Sequence, residues 1–240
     1  MNYDDFLELT KNRRSCRRFK PDPVPDEYVD KIIEAARWAP SGFNMQPWEF
    51  IVIKEHKIKN RIVEMVKDQR RQAAVLEQIR EEWQLSGQPK SSSATLGGDD
   101  FAIAPVFILL LGDPRTNAGL PMSVRCDYDT AQFTVNAGLA NAFLYMHLAA
   151  TALGLASQWM SIVRVSSVEC MLKDFIGIPG YMRIFDMMVL GYPAVEPNPK
   201  LMRPADKMVH HDYCSEGDFR TENEVKDFIK RCRAWTMAQH

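Results

Sequence analysis

The sequence has no glycine-rich dinucleotide fingerprint after a strand-like run, and no phosphate loop with its lysine. A nucleotide held in either of those ways is excluded. No apolar run approaches the roughly 20 residues that span a bilayer, and a formal net charge of −1 supplies no global field toward membrane or nucleic acid. Basic residues are not interleaved with aromatics and the pI is near 6.5, so neither nucleic acid nor membrane is expected as a partner. The five cysteines (Cys16, Cys126, Cys170, Cys214, Cys232) lack metal-ligand spacing, and an odd number suits reduced thiols. His210, His211, Asp212 and Cys214 offer no helical ligand pair and read as a polar connector, so no metal is expected. Ser15, Ser41 and Ser161 have no neighbouring histidine and acid, which disfavours a hydrolase. The start, Met1-Asn2-Tyr3-Asp4-Asp5, is acidic and lacks a signal peptide's basic and apolar parts. A cytoplasmic protein is the expectation.

What is present begins with enough chain, 240 residues at 46% hydrophobic and 25% charged, for the core of one large domain. The organising stretch runs from Ala39 to Phe50 and joins an amphipathic helix to a strand. Pro40 pushes Ala39 out of the helical region and closes the helix behind it. Ser41, Gly42 and Asn44 favour a turn, glycine because it tolerates positive φ, serine and asparagine because they bond their own backbone. Pro47 holds the chain extended before Trp48. A short, rigid crook carrying one exposed aromatic, Phe43, is predicted, with an ordinary helix-to-strand loop as the alternative.

Along the chain, Phe6 to Asn12 reads as a short helix. Asp26 and Glu27 open a second, whose Val29, Ile32, Ile33 and Ala36 share one face. Trp48 to Ile53 is a strand, and Ile58, Ile62, Met65 and Val66 form a helical stripe. Lys67 to Gln84 is helix-prone but charged, with Leu76, Ile79 and Trp83 as its apolar contacts; Ser86 to Asp100 reads as a loop or flap. Pro105 to Leu111 is apolar throughout, as in a strand buried on both faces. Asp127 to Leu153 is the longest helical candidate, apolar or small nearly all round, and Gly154 stops it. Leu155 to Ser161 reads as a strand end. Ser166 and Glu169 form a capping-box pattern before a helix that ends ahead of Gly177. Arg183 to Leu190 is a strand, Ala194 to Pro204 is extended, and Thr221 with Glu224 caps a terminal helix. The alternation of helices and strands indicates an α+β or α/β protein.

Chemistry concentrates in Arg13-Arg14-Ser15-Cys16-Arg17-Arg18-Phe19, four arginines within six residues of a chain with no cationic excess. Guanidinium forks match phosphate oxygens in pairs; a solvated, salt-bridged turn is the alternative. Cys16 reads as a buried structural thiol, with activation by the neighbouring charges as the alternative, and His147 as a hydrogen-bonded core histidine ahead of a base.

That cluster, then Ala39-Pro40-Ser41-Gly42-Phe43-Asn44-Met45-Gln46-Pro47-Trp48, then Leu190-Gly191-Tyr192-Pro193, resembles in order and spacing the FMN-dependent nitroreductase superfamily. Its relatives include the flavin-cleaving enzyme of cobalamin synthesis and the iodotyrosine dehalogenases. The match spans about Leu9 to His211. The resemblance implies a three-layer α-β-α sandwich of the α+β class, with a mixed, mostly antiparallel sheet around a long buried helix, in a domain-swapped homodimer. Residues 1–213 would form the FMN-binding domain with a lid insert at about 67–100, and 214–240 a helical extension of it.

Carried over by position, Arg13, Arg14 and Ser15 would hold the FMN phosphate and ribityl chain, and Arg17 the pyrimidine edge. Pro40, Ser41, Gly42 and Asn44 would come from the other subunit, with Phe43 on the substrate side. Trp159, Met160 and Ser161 match the segment beside flavin N5, and Arg203 the tail arginine on the phosphate. No side chain need act as nucleophile; Ser161 and Arg17 would tune the flavin. The implied activity is NAD(P)H-dependent reduction of a small-molecule electron acceptor, nitroaromatic or quinone-like, by a ping-pong cycle. Alternatives are a specialised flavin reaction, reductive dehalogenation or flavin cleavage, and a flavin-binding protein without turnover. Dehalogenases of tyrosine grip the amino acid with a lid Glu and, four residues on, a Tyr. Those positions fall near Arg70 and Ala74, which disfavours that substrate.

Overall fold

From Val106 to Gly112 every residue is buried, and alternate side chains enter two different cores. Phe107, Leu109 and Leu111 pack on one side of the sheet, Val106, Ile108 and Leu110 on the other. A strand covered on both faces needs this apolar continuity. The structure is a computed structural model that describes residues 2–76, 79, 99–196 and 200–237. It clusters into two compact units, Met1–Gln69 with Asp99–Pro197, and Arg70–Gly98 with Asn198–His240.

The helices are α1 (Tyr3–Asn12), α2 (Asp26–Arg37), α3 (His56–Leu76), α4 (Tyr128–Ala152), α5 (Ser166–Ile176) and α6 (Glu222–Met237). The strands β1 (Trp48–Ile53), β2 (Val106–Gly112), β3 (Ala156–Met160) and β4 (Arg183–Gly191) form one sheet in the order β1-β2-β4-β3. All three neighbouring pairs are antiparallel. The parallel element of the sheet is a single bridge between Ser15 and Ser157 at its β3 edge.

Helices cover both faces. Ile62, Val63, Met65 and Val66 of α3 and Val168 and Leu172 of α5 build one core. Val29, Ile32 and Ala36 of α2 and Leu139, Ala142, Phe143, Met146 and Ala150 of α4 build the other. The result is a three-layer α-β-α sandwich of the α+β class. Asp127 caps α4 by accepting from Thr130 N, and Gly154 turns the chain away at φ +72°. In the second unit, Thr221 and Glu224 form their capping box ahead of α6.

Three expectations are corrected. Ser166 makes no cap bond; the Glu169 carboxylate instead accepts from Ile184 N of β4 at 3.2 Å and pairs with Lys173, one turn on in the same helix, at 2.8 Å, so it does not turn back to the helix start. Leu76 and Ile79 are exposed rather than packed, since the buried residues of α3 run only from Lys59 to Val66 and both positions lie farther along the chain. The positive φ of the crook falls on Phe43, Asn44 and Gln46, not on Gly42. Trp83 and most of the expected lid, with the Ser86 to Asp100 flap up to residue 98, lie outside the described residues.

Candidate functional site at the outer edge of the sheet

After α2 ends, Ser41 to Met45 winds into a single tight turn. Asn44 N donates to Ser41 O and Met45 N to Gly42 O, while Ser41 Oγ accepts from Gln46 N at 3.0 Å. Three non-glycine residues at positive φ are costly, and contacts with one flank of α4 hold them. Asn141 donates to Pro40 O at 3.1 Å; a Cβ on Gly138 would stand 3.0 Å from Ser41 Cβ, and one on Gly42 would overlap the Thr134 methyl. Thr134, Gly138 and Asn141 share a helical face, so the crook is seated on α4 along its length. Phe43 projects outward, 58% exposed.

The arginine loop is laid along β3. Arg13 closes α1, donating its N–H to Leu9 O. Cys16 N then donates to Ser157 O at 2.9 Å, and the chain returns to the end of β4 through Lys20 N to Tyr192 O and Ala194 N to Arg18 O. At that junction a Cβ on Gly191 would press on Pro105 and Phe19, so the glycine permits the close approach. Arg13, Arg14 and Arg17 are half-buried and Ser15 is exposed. Burial, then the charge of Arg14, lowers the Arg13 pKa from its ordinary value. Cys16 is buried, and burial pushes its thiol up; it is structural, as expected.

Beneath the loop, Ser157 turns its hydroxyl to His147 Nδ1 at 2.6 Å. His147 is buried with Nε2 unpartnered, and burial followed by the nearby Arg13 charge pushes it down to about 3, so the ring is neutral. Its ring stacks on Trp159 at 5.7 Å, and Phe143 meets both edge-on. Trp159 Nε1 donates to Asp186 Oδ2 at 2.5 Å. Met160 is buried, and Ser161 opens the turn that follows β3.

The bridge of Ser15 to Ser157 thus lays the loop carrying Arg13, Arg14 and Arg17 beside β3, the strand that holds Trp159 and Met160 and leads into Ser161. Pro40, Ser41, Gly42, Phe43 and Asn44 are held elsewhere. Gly138 under the crook and His147 under Trp159 are nine positions apart, about half a turn round α4 at 100° per residue. Arg203 belongs to the second unit, where Nη2 donates to Lys207 O at 2.8 Å. Sequence reasoning missed Asp186, Gly138 and Thr134; each acts through a partner far along the chain, and only the helical spacing of Thr134 and Gly138 could have hinted at a shared face. Among the described residues no group of three or more His, Cys, Asp or Glu could hold a metal, and no helix is long and apolar enough to cross a membrane.

A three-layer sandwich with an arginine loop stitched to its β3 edge defines a recognisable class. The chain belongs to the nitroreductase family, whose model matches residues 10–192. A protein of Archaeoglobus fulgidus, provisionally named NADH dehydrogenase/NAD(P)H nitroreductase, is 28% identical over 193 residues, 80% of this chain and 88% of its own length. Iodotyrosine deiodinase 1 of Mus musculus is 26% identical over 208 residues, 85% of this chain and 68% of its own. The crystal structure of a nitroreductase with bound FMN from Bacteroides fragilis superposes with a TM-score of 0.60 at 21% identity, covering 89% of this chain and all of that one. That last likeness speaks to the fold.

Proposed function

We propose that the protein is an FMN-dependent NAD(P)H oxidoreductase that reduces nitroaromatic or quinone-like acceptors as a cytoplasmic homodimer. The observation that carries this reading is the bond from Cys16 N to Ser157 O, which sets the arginine loop beside the strand that ends in Trp159 and Met160 and leads into Ser161. The donor set suits a phosphorylated flavin. Arg13, Arg14 and the exposed Ser15 hydroxyl would hold the phosphate and ribityl chain, joined by Arg203. Arg17 would fix positive charge at the pyrimidine edge, and the Ser161 hydroxyl or a nearby N–H would face N5. When bound, FMN would supply electron transfer between the nicotinamide and the acceptor. The chain's own part is to bind, orient and exclude water.

The crook supports a second copy. With the crook and the Trp159 floor on opposite flanks of α4, one chain cannot readily present both to a single ligand. Between those flanks runs an apolar stripe in which Phe133 is 74% and Leu144 42% exposed, with the small Ala137 and Ala140 between them. Packing two such stripes would bring Pro40, Ser41, Gly42 and Asn44 of one protomer to the other's arginine loop, with Phe43 over the substrate face. In this reading residues 1–213 are the FMN domain, about 67–100 its lid, and 214–240 a helical extension.

Purified protein is expected to be yellow and to bleach when NADH or NADPH is added without oxygen. Colourless protein that takes up no FMN overturns the reading. Reductive dehalogenation is the second reading, favoured by the deiodinase relatives; it would show as slow turnover with nitro compounds and rapid conversion of a halogenated phenol.

A further inference from the structure

Among the described residues Asp186 is the only buried carboxylate. Its placement comes from an irregularity in the sheet. Leu110 pairs with Asp186 and Leu111 with Ile184, so Phe185 is an extra residue in β4. That bulge sends Phe185 into the ring cluster with Phe143 and Trp159, and leaves Asp186 directed at Trp159. Oδ2 accepts the indole N–H, while Oδ1 is buried without a hydrogen bond, and Arg164 Nε lies 3.9 Å from it.

Trp159, Ser161 and Arg164, the polar groups acting on Asp186, all belong to one short segment, the end of β3 and the turn after it. A carboxylate that served only to pin the indole would be a poor choice. An amide oxygen accepts the same bond without burying a charge, and a buried carboxylate whose second oxygen makes no hydrogen bond is costly. The charge has a use if it draws Ser161 and Arg164 inward together with Trp159.

We propose that Asp186 is a positioning residue for the flavin: its ionised carboxylate holds the Trp159–Arg164 segment in the shape that receives the isoalloxazine, and its protonation releases that segment and weakens FMN binding. This rests on the reading that FMN lies against Trp159, Met160 and Ser161. Burial pushes Asp186 up to about 6, against the opposing pull of Trp159, Arg164 and Ser161. The change therefore falls at an experimentally accessible pH. Elements packed on this carboxylate bring no competing titration there. Leu110 of β2 and Phe143 of α4 are apolar, and His147 of α4, behind Trp159, stays neutral because it is pushed down to about 3 by burial and Arg13. Arg13 itself stays cationic.

The test is FMN affinity from pH 5 to 8 for the wild type and Asp186→Asn, read by quenching of flavin emission. The FMN phosphate also titrates near pH 6, but it is common to both proteins and cancels in the ratio. The wild type is expected to bind about tenfold tighter at pH 8, the worth of one charge-assisted bond, and within about twofold of the variant at pH 5. A ratio that stays constant across the range overturns the proposal. A second readout needs no flavin: the emission difference between the wild type and Trp159→Phe should change through a single transition near pH 6. If Asp186→Asn does not fold, that difference decides, and a flat profile overturns the proposal. Wild-type protein that takes up no FMN at any pH overturns the flavin reading and this proposal with it. FMN binding with a constant ratio overturns the Asp186 proposal alone.

Discussion

Gly42 lies so close to Thr134 of α4 that a Cβ on the glycine would overlap the threonine Cγ2. The glycine is therefore needed for space and not for φ, which is positive at Phe43, Asn44 and Gln46 instead. Gly42→Ala should lift the crook from the helix and cost about 1–3 kcal/mol, the usual toll of overpacking. Thr134→Ser deletes the offending methyl while keeping a hydroxyl for the bond to Thr130 O, so it should recover most of that loss. Urea unfolding of the four proteins gives the coupling, expected at about 1 kcal/mol or more. Strictly additive effects would show that the two residues do not press on each other.

Asp186 should make the protein less stable as pH rises. Its folded value is pushed up to about 6, whereas an unfolded Asp titrates near ~3.9. Between those values the native state holds a proton that the unfolded state has lost, so stability falls as pH climbs from about 4 through 6 and then levels off. Asp186→Asn lacks this slope. It should be the more stable protein at pH 8, by on the order of 1–3 kcal/mol, and show little gain at pH 4.5. Melting curves at the two pH values check this; equal offsets at both would mean that the carboxylate does not titrate as its burial requires. A residue retained against stability, in the segment expected to touch the cofactor, fits a functional purpose.

His147 should tilt the profile the other way. Its folded value is pushed down to about 3 by burial and Arg13, while an unfolded His titrates near ~6.5. Below about pH 6.5 the unfolded chain gains a proton that the native state refuses, so stability is lost as pH falls toward 3. His147→Gln should cost about 1–3 kcal/mol at pH 7 through lost ring packing and a less well paired Ser157, yet its melting temperature should fall less steeply in acid. Parallel curves down to pH 4.5 would count against a neutral, buried imidazole.

What could be read from the sequence was local. The apolar run at β2, the Asp127 cap and Gly154 stop of α4, and the arginine cluster each declare themselves within a few residues. The motif order then carried the family. The rest depends on partners that no window of sequence holds. Ser166 and Glu169 spell a capping box, but the Glu169 carboxylate accepts from Ile184 N on β4 instead. Gly42 reads as a turn glycine until Thr134 is seen beside it. Asp186 looks like a polar interruption of a strand, and its meaning lies in a bulge and in Trp159 on the neighbouring strand. The dependence on α4 was visible only as small residues, because spacing gives a face and not its occupant.

The arginines give the most direct test of the site. Arg14→Ala removes a half-buried guanidinium from the loop beside β3, and Arg203→Ala removes one from the second unit. A charged bond to phosphate is worth roughly 1.5–3 kcal/mol, which is a loss of about 10- to 150-fold in FMN affinity for each variant. Because the lost term is charge-assisted, the gap between wild type and variant should narrow as salt rises. Arg37→Ala is the control, since that side chain is exposed and paired with Glu34 on α2, and its FMN affinity should match the wild type. Riboflavin separates phosphate from the rest of the flavin: it carries no phosphate, so Arg203→Ala should bind it as the wild type does, and Arg14→Ala should lose much less affinity for it than for FMN. If FMN affinity is unchanged in both variants, the phosphate is held by other groups and the arginine loop must be assigned a different ligand.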